Sequence, residues 1–259
     1  MGVMGRVAVF DSGLGSLSII QAIRKVTKAD IIYFADQKHY PYGKKPNDEL
    51  RKIITSTIQL LKDRFSPDVI VVGSNTPTLL FSDLFSHDEA LLGVLPPLAE
   101  AKKKTQTNSI AILATTATIN DKQIANYIRN NLPKQILVTK IDATKLIDLV
   151  ESAKFISDKR FSEKIIKKIL LPIFKDNNID VATLSSTHLP FLLPILQKLF
   201  PRIVFLDPAM QVATRLIENK LFSPSKRNTL TIFTSGDTKT LEANLKKLKI
   251  KNKVQSLQF

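Results

Sequence analysis

The stretch RVAVFDSGLGSLSIIQAIRKV, residues 6–26, predicts one complete strand–turn–helix unit. Residues 6–10 are rich in β-formers and apolar on both faces, which is typical of a buried parallel strand. A polar turn with two glycines follows, and apolar residues then recur at helical spacing over 17–26. A strand that passes through a short turn into a helix is the building unit of α/β folds.

The same alternation continues along almost the whole chain. Helical patterns separate most of the predicted strands, and the longest helix follows residue 46, with Asn47 as its predicted cap. The sequence therefore predicts a doubly wound parallel α/β sheet, or two of them. Ligands of such sheets bind beyond the carboxyl ends of the strands. The further strands are predicted at 31–34, 69–73, 91–95, 109–114, 136–140, 181–185, 202–206 and 229–233.

Length and composition restrict the class of protein. A chain of 259 residues suits two domains or one large α/β unit. It has no apolar run of the roughly 18–20 residues that cross a membrane, and its N-terminus lacks the pattern of a signal peptide. We therefore expect a soluble cytoplasmic protein with no membrane partner. The complete absence of cysteine excludes disulfides and thiolate metal sites, and we expect no metal.

A net charge of +15 raises the question of a nucleic-acid partner. The lysines are spread over segments such as SEKIIKKILL (162–171), at spacings that leave the opposite helix face apolar. This pattern is typical of solvated helix faces. No zinc-ligand spacing, aromatic RNA-binding motif or DNA-reading helix accompanies the charge. A nucleic-acid-associated protein therefore stays the least favoured hypothesis.

The turn FDSGLGSL (10–17) resembles a phosphate-binding loop but matches neither GxGxxG nor GxxxxGK[ST]. A nucleotide site is therefore weakly indicated. The alternative is that backbone N–H groups and the N-terminus of the following helix hold a carboxylate. Asp11 and Ser12 would project into the same crevice.

Two similar polar triplets follow predicted strands: SNT at 74–76 and STH at 186–188. Either triplet alone is typical of a turn or helix cap. As a matched pair, a little under half the chain length apart, they predict two similar units that face each other across a cleft. Such an arrangement suits chemistry on both faces of one carbon. A serine hydrolase is disfavoured, because GxSxG is absent and a hydrolase needs no second triplet.

Eight stretches together resemble the signature stretches of glutamate racemases, in the aspartate/glutamate racemase superfamily. The resemblance covers essentially the entire chain after the first few residues. It implies a cofactor-independent racemase with two flavodoxin-like domains related by pseudo-twofold symmetry. Residues 96–208 would form a domain inserted into residues 1–95 plus 209–259, with the substrate between them. The stretches are, in order, VAVFDSGLGSLSIIQAI, YFADQKHYPYGKKP, SNTPT, LATTATI, LVESAKF, STHLP, FLDPAMQVA and FTSGDTKTLEANLKKL.

The family uses one cysteine in each domain to move the α-proton of glutamate, and this chain has Ser74 and Ser186 at those positions. The resemblance places Asp11 near the first, and His188 and Glu151 near the second. Smaller departures from the family pattern are Ser16 for glycine, Pro77 for alanine and Leu189 for tyrosine. The residues implied to bind the ammonium and carboxylate groups of the amino acid are Ser12, Tyr42, Gly43, Asn75, Thr76, Thr118 and Thr187.

The two serines limit the predicted activity. A thiol with a pKa of about 8.5 can be tuned to exchange protons near neutral pH, whereas serine is a much weaker acid. Three hypotheses remain. The first is a glutamate racemase, either an inactivated Cys-to-Ser form of an active enzyme or a weak natural serine variant. The second is a silent homologue that binds glutamate or aspartate, and the third is the nucleic-acid-associated protein. The resemblance also implies a source of D-glutamate for peptidoglycan precursors, and we expect a homodimer.

Overall fold

A computed structural model describes residues 5–258, in which strands and helices alternate. The strands are β1 (Arg6–Asp11), β2 (Asp30–Ala35), β3 (Val69–Val72), β4 (Leu91–Gly93), β5 (Ser109–Ala114), β6 (Leu137–Asp142), β7 (Val181–Leu184), β8 (Val204–Leu206), β9 (Thr229–Thr234) and β10 (Val254–Ser256). The helices are α1 (Leu17–Val26), α2 (Asn47–Phe65), α3 (Asn75–Leu80), α4 (Ser82–Ser86), α5 (Leu98–Lys104), α6 (Thr116–Asn120), α7 (Lys122–Asn131), α8 (Thr144–Glu151), α9 (Lys154–Ser157), α10 (Lys159–Asp176), α11 (Leu193–Leu199), α12 (Ala209–Glu218) and α13 (Thr238–Lys247). Short 3-10 helices lie at Gln37–His39, Tyr42–Lys44 and Leu189–Leu192.

The chain divides into two compact units, each built on its own sheet. The first unit runs to Val94 and resumes at Ala209, and the second unit is Leu95–Pro208.

The first unit has a six-stranded parallel sheet in the order β10-β9-β2-β1-β3-β4. The central strand β1 is buried from Val7 to Asp11, and all four residues of β3 are buried. A strand covered on both faces needs apolar side chains in both directions, which explains the continuous runs of valine and isoleucine. Leu50, Ile54 and Leu61 of α2 pack onto this sheet in one core cluster.

The second unit has a four-stranded parallel sheet in the order β6-β5-β7-β8. Its core packs Ile166, Leu170 and Phe174 of α10 with Ala182 and Leu184 of β7. Both units contain four strands in the order second, first, third, fourth, which is the start of the flavodoxin-like order. The predicted fold class, α/β with parallel sheets, is confirmed.

Some predicted boundaries are wrong. The long helix begins at Asn47, so the capping position is Pro46, and no side chain caps it. Asp48 and Glu49 lie in the first turn instead, where negative charge favours a helix N-terminus. The strand predicted at 202–206 begins at Val204, because Pro201 and Arg202 lie in a turn.

Several other strand ends shift by one or two residues. The strand predicted at 136–140 runs from 137 to 142, those predicted to end at 73 and 95 end at 72 and 93, and the one predicted at 181–185 ends at 184. Strand β10 was not predicted, because it is short and two of its three residues are exposed and polar. Across residues 5–258, no helix is both long enough and apolar enough to span a membrane.

Candidate active site

The first group of predicted site residues lies at the carboxyl end of β1. Asp11 is the last residue of that strand and is 2% exposed. Its Oδ1 accepts a hydrogen bond from the backbone N–H of Ser12 at 2.7 Å. The Ser12 Oγ in turn accepts one from the N–H of Tyr42 at 3.4 Å. A buried carboxylate and a buried hydroxyl therefore stand at this strand end, as the sequence predicts.

Tyr42 and Gly43 belong to the short 3-10 helix that follows β2. The Tyr42 hydroxyl donates to Asp36 Oδ2 at 2.9 Å. Burial raises the pKa of the Tyr42 phenol well above its usual value, and the negative charges of Asp36 and Asp11 raise it further. The phenol therefore stays protonated and acts as a hydrogen-bond donor.

Asp36 is a buried carboxylate that the sequence analysis missed. It is fully buried just beyond the carboxyl end of β2. Besides Tyr42, it accepts from Ser235 Oγ at 2.9 Å and contacts His39 Nδ1 at 2.8 Å. An aspartate immediately after a buried apolar strand is the same signal that identified Asp11. Asp36 orients Tyr42 beside the Asp11–Ser12 pair.

The SNT triplet lies one strand away. The N–H of Gly73 donates to the carbonyl of Phe10 at 2.7 Å, so the carboxyl ends of strands β1 and β3 lie side by side. Ser74 occupies the capping position of α3, but its side chain makes no capping bond and is not fully buried. Its hydroxyl is therefore not committed to the helix.

Asn75 and Thr76 are 3% and 4% exposed. The amide Nδ2 of Asn75 donates to the carbonyl of Val94 at 3.1 Å, which fixes the side chain. Its Oδ1 is buried and has no hydrogen-bond partner among the residues that the structure describes. A buried acceptor without a partner is costly, and an amino group of a ligand would satisfy it.

The anion site predicted from the turn before α1 stays a prediction, although the structure rules out part of the N–H groups for it. The N–H groups of Leu17, Ser18 and Ile19 donate to the carbonyls of residues 14–16 at 3.1–3.2 Å. The backbone of the turn thus satisfies the first-turn N–H groups itself. The hydroxyl, carboxylate and carboxamide side chains, not these backbone N–H groups, give the site its polarity.

The second group of predicted site residues lies at the carboxyl end of β7. Ser186 and His188 are each 6% exposed, and Ser186 Oγ lies 3.4 Å from His188 Nδ1. The other ring nitrogen, Nε2, is hydrogen-bonded to Oε1 of Glu151, the last residue of α8. The structure therefore brings together the three residues that the sequence predicts, although Glu151 lies 37 positions from His188.

Thr118 and Thr187 are also buried near strand ends of this unit. Thr115 caps α6 by accepting from the N–H of Thr118 at 3.2 Å, and the two hydroxyls lie 3.0 Å apart. The N–H of Ser185 donates to the carbonyl of Leu113 at 2.9 Å, which aligns the ends of β5 and β7. This backbone bond is the counterpart of the Gly73–Phe10 bond in the first unit.

Comparison with known proteins identifies the family. No family model matches the chain. A glutamate racemase from Desulforudis audaxviator is 32% identical over 212 residues, which cover 79% of this chain and 75% of the relative. The chain belongs to the glutamate racemase family. A glutamate racemase from Clostridium perfringens is 28% identical over 255 residues, which cover 95% and 96% of the two chains. The resemblance predicted from the eight stretches is therefore confirmed.

Solved structures of this family share the fold. A glutamate racemase isoform from Bacillus anthracis matches with a TM-score of 0.86 at 24% identity, over 98% of each chain. The Escherichia coli enzyme, in complex with L-glutamate and the activator UDP-MurNAc-ala, matches with a TM-score of 0.83 at 22% identity, again over 98% of both. The family and the fold favour neither the silent binding protein nor the nucleic-acid-associated protein.

Proposed function

We propose that this chain binds glutamate and exchanges its α-proton without a cofactor, with Ser74 and Ser186 at the two acid/base positions. The observation that carries the proposal is the Ser186–His188–Glu151 chain of contacts, in a member of the glutamate racemase family. In the first unit, Ser74 stands at the strand end next to the one that carries Asp11. Each unit thus offers one hydroxyl near a buried acid or imidazole.

The chemistry of the buried groups supports an acidic amino acid as the ligand. The unsatisfied Oδ1 of Asn75 is an acceptor for an α-ammonium group. Hydroxyl donors suit carboxylates, and Ser12, Thr76, Thr118 and Thr187 are all nearly buried, where hydrogen bonds are strong. We infer glutamate rather than aspartate from the names of the relatives, including the E. coli enzyme solved with L-glutamate.

Removal of a proton from one face of Cα and its return to the other requires two separate acid/base groups. We therefore propose Ser74 and Ser186 as these two groups, in domains with a boundary near 95–96 and a return to the first domain near 209. We also propose that the protein works as a homodimer in the cytoplasm.

The two serines set the expected rate. A serine acts as a base toward carbon only as an alkoxide, and the neighbouring groups are too weakly basic to maintain one. Each tenfold loss of rate corresponds to about 1.4 kcal/mol of barrier. We therefore expect racemisation several decades slower than in a two-cysteine relative, with glutamate binding retained.

The deciding experiment is the double substitution Ser74→Cys with Ser186→Cys. It changes one atom at each position and retains Asp11, Glu151 and His188. We expect it to restore racemisation, followed by circular dichroism of D- or L-glutamate. Ser185→Cys is the matched control, because it places a thiol one residue away, where the hydroxyl pairs with Thr183 Oγ1 at 2.9 Å.

The control is expected to leave the parent rate unchanged. A folded double variant that fails to racemise glutamate and aspartate would overturn the proposal. A silent protein that only binds acidic amino acids would then be the better description.

A further inference from the structure

The contacts at the second site include a hydroxyl–imidazole–carboxylate chain. Ser186 Oγ lies 3.4 Å from His188 Nδ1, and Nε2 of the same ring is hydrogen-bonded to Glu151. All three groups are buried or partly buried. In this order, an imidazole removes the proton of a hydroxyl while the hydroxyl oxygen attacks an electrophile, and the carboxylate orients the ring.

The contact with Glu151 selects the tautomer of His188. An ionised carboxylate only accepts hydrogen bonds, so in the neutral imidazole this contact places the hydrogen on Nε2 and leaves a lone pair on Nδ1. That lone pair is on the nitrogen nearer Ser186. The distance of 3.4 Å is at the long end for a hydrogen bond, and catalytic hydrogen bonds are often this long in the absence of substrate.

Proton abstraction from carbon and attack on a carbonyl make different demands on a serine. For the first, the hydroxyl must already be ionised. For the second, it loses its proton only as the new bond forms, to a base that is in contact with it. The replacement that weakens racemisation therefore leaves a competent nucleophile at Ser186. Because the chain lacks GxSxG, the sequence did not indicate a nucleophilic serine. The contact between His188 and Glu151 is the structural feature that does.

We propose that Ser186 is a nucleophile toward small carboxylic esters, which the protein hydrolyses through an acyl-serine. The bond from Ser186 Oγ to the carbonyl carbon forms as the hydroxyl proton passes to His188 Nδ1. The carbon–oxygen bond to the alcohol then breaks, and the alcohol leaves with that proton. Water attacks the acyl group with the same base, which yields the acid and restores Ser186. This proposal does not depend on the racemase activity proposed above.

Ser185 provides a matched comparison within the same turn. It is 1% exposed, and its hydroxyl pairs with the Thr183 hydroxyl rather than with an imidazole. Ser185→Ala therefore removes a neighbouring hydroxyl and leaves the Ser186–His188–Glu151 chain intact. Ser74, at the end of β3 in the other unit, is an internal reference, because the extent of its covalent labelling is measured in the same protein.

The test is covalent trapping on the full-length protein. One sample is treated with a methyl fluorophosphonate, in which Ser186 would displace fluoride and form a stable oxygen–phosphorus bond. A second sample is treated with p-nitrophenyl acetate and quenched in acid. Peptide mass spectrometry then locates each adduct. We expect at least tenfold more adduct on Ser186 than on Ser185 or Ser74, loss of that adduct in Ser186→Ala, and its retention in Ser185→Ala.

Substitution of the imidazole and of its carboxylate tests the relay itself. His188→Asn should slow adduct formation on Ser186 at least tenfold, and Glu151→Gln should slow it less, with folding checked by circular dichroism. Absence of a Ser186 adduct with both reagents would overturn the proposal. Equal labelling of Ser74, or labelling of Ser186 at the same rate in folded His188→Asn and Glu151→Gln, would also overturn it. Racemisation by the double cysteine variant, without labelling of the parent, would reject only this second activity.

Discussion

Glu151 accepts a hydrogen bond from His188 Nε2, although the two residues come from different elements. Glu151 ends α8, whereas His188 lies in the turn after β7. The contact holds the imidazole with Nδ1 toward Ser186, so the proposed acid/base position depends on a side chain 37 residues away in sequence.

Glu151→Gln, made in the double cysteine variant, should lower kcat for racemisation at least tenfold, or about 1.4 kcal/mol of barrier. The uncharged amide can donate as well as accept, so it no longer fixes one tautomer of His188. KM should change little, because Glu151 acts through His188 rather than on the substrate. Steady-state kinetics in both directions measure the two constants.

Glu163→Gln is the matched control for this change. Glu163 lies on α10 of the same unit and pairs with exposed Lys198 at 2.7 Å. It should leave both constants within twofold of the starting variant. If Glu151→Gln behaves like Glu163→Gln, the carboxylate does not position His188.

Variants with a single cysteine should exchange the α-proton with solvent faster than they lose chirality. With Ser74→Cys or Ser186→Cys alone, one thiol can remove and return the proton on the same face, while the opposite group stays a poor base. Proton NMR in D2O follows deuterium uptake, and circular dichroism follows chirality. We expect each single variant to favour uptake from a different enantiomer. Equal rates of uptake and racemisation would show that one thiol is sufficient.

Glutamate should stabilise the parent chain against heat, since the predicted binding groups do not include positions 74 and 186, where the family has its cysteines. At ten times Kd, a ligand that binds only the folded state adds about 1.4 kcal/mol. Asn75→Ala should abolish this shift, because the amide oxygen proposed to receive the ammonium is lost. The ligand-induced change in Tm is compared, since loss of the Asn75–Val94 hydrogen bond also lowers Tm without ligand.

Asn252→Ala is the control for the binding experiment. Asn252 is exposed, and its amide also donates to a backbone carbonyl, that of Leu230 at 2.7 Å. Its loss should leave the glutamate-induced shift intact. An Asn75→Ala protein that keeps the full shift would exclude Asn75 from the binding site.

Asp180 should make the second unit sensitive to acid. Burial acts to raise its pKa, but donors at Gln106 N (2.6 Å), Thr105 Oγ1 (2.7 Å) and Thr107 N (3.0 Å) outweigh this effect, so the pKa lies below its usual value. A depressed pKa adds stability above the unfolded pKa of about 3.9, and this stability is lost as the pH falls through the folded value.

The variant Asp180→Asn should therefore lower the free energy of unfolding at pH 7 by about 1 kcal/mol, after allowance for solvent screening. The difference from the parent should shrink as the pH falls below about 4. Urea unfolding at several pH values, followed by far-UV circular dichroism, measures it. Asp176→Asn, at the exposed end of α10, is the control and should leave the unfolding midpoint unchanged. A constant difference at all pH values would show that the Asp180 charge is not involved.

The sequence predicted what depends on local pattern. Continuous apolar runs such as VIVV in β3 identified buried strands, and a polar residue just after a strand identified Asp11 and Ser186. It failed where a partner supplied the missing information. Strand β10 has only one buried residue and is held by pairing with β9. Asp36 follows a buried strand as Asp11 does, but its contacts with Ser235 and Tyr42 are visible only in the structure.

For the anion site predicted at the start of α1, the structure restricts which N–H groups can take part. Its glycine turn suggested free N–H groups, but the turn folds back so that its own carbonyls accept those of residues 17–19. Hydrogen bonds within the turn depend on its three-dimensional path, which the residue pattern leaves open.

The tight approach of Gly73 to Ser16 leads to a prediction about the geometry of Ser74. A Cβ added at Gly73 would lie 2.3 Å from Ser16 Cβ and 3.1 Å from the carbonyl oxygen of Phe10. Ser16 is fully buried, so it cannot swing away into solvent. Gly73→Ala should therefore move the end of β3 and lower the free energy of unfolding by about 1–3 kcal/mol. Ser16→Gly removes the nearer of the two obstacles and should recover more than half of that loss, although the Phe10 carbonyl still limits the space.

Thermal and urea unfolding of the parent, the two single variants and the double variant form a complete cycle, in which residues in direct contact give a non-additive term. In the double cysteine variant of the two base positions, Gly73→Ala should also reduce kcat, and added Ser16→Gly should partly restore it, because the thiol at position 74 follows the displaced backbone. Strictly additive effects on stability would show that Ser16 does not fix the position of the Gly73–Ser74 backbone.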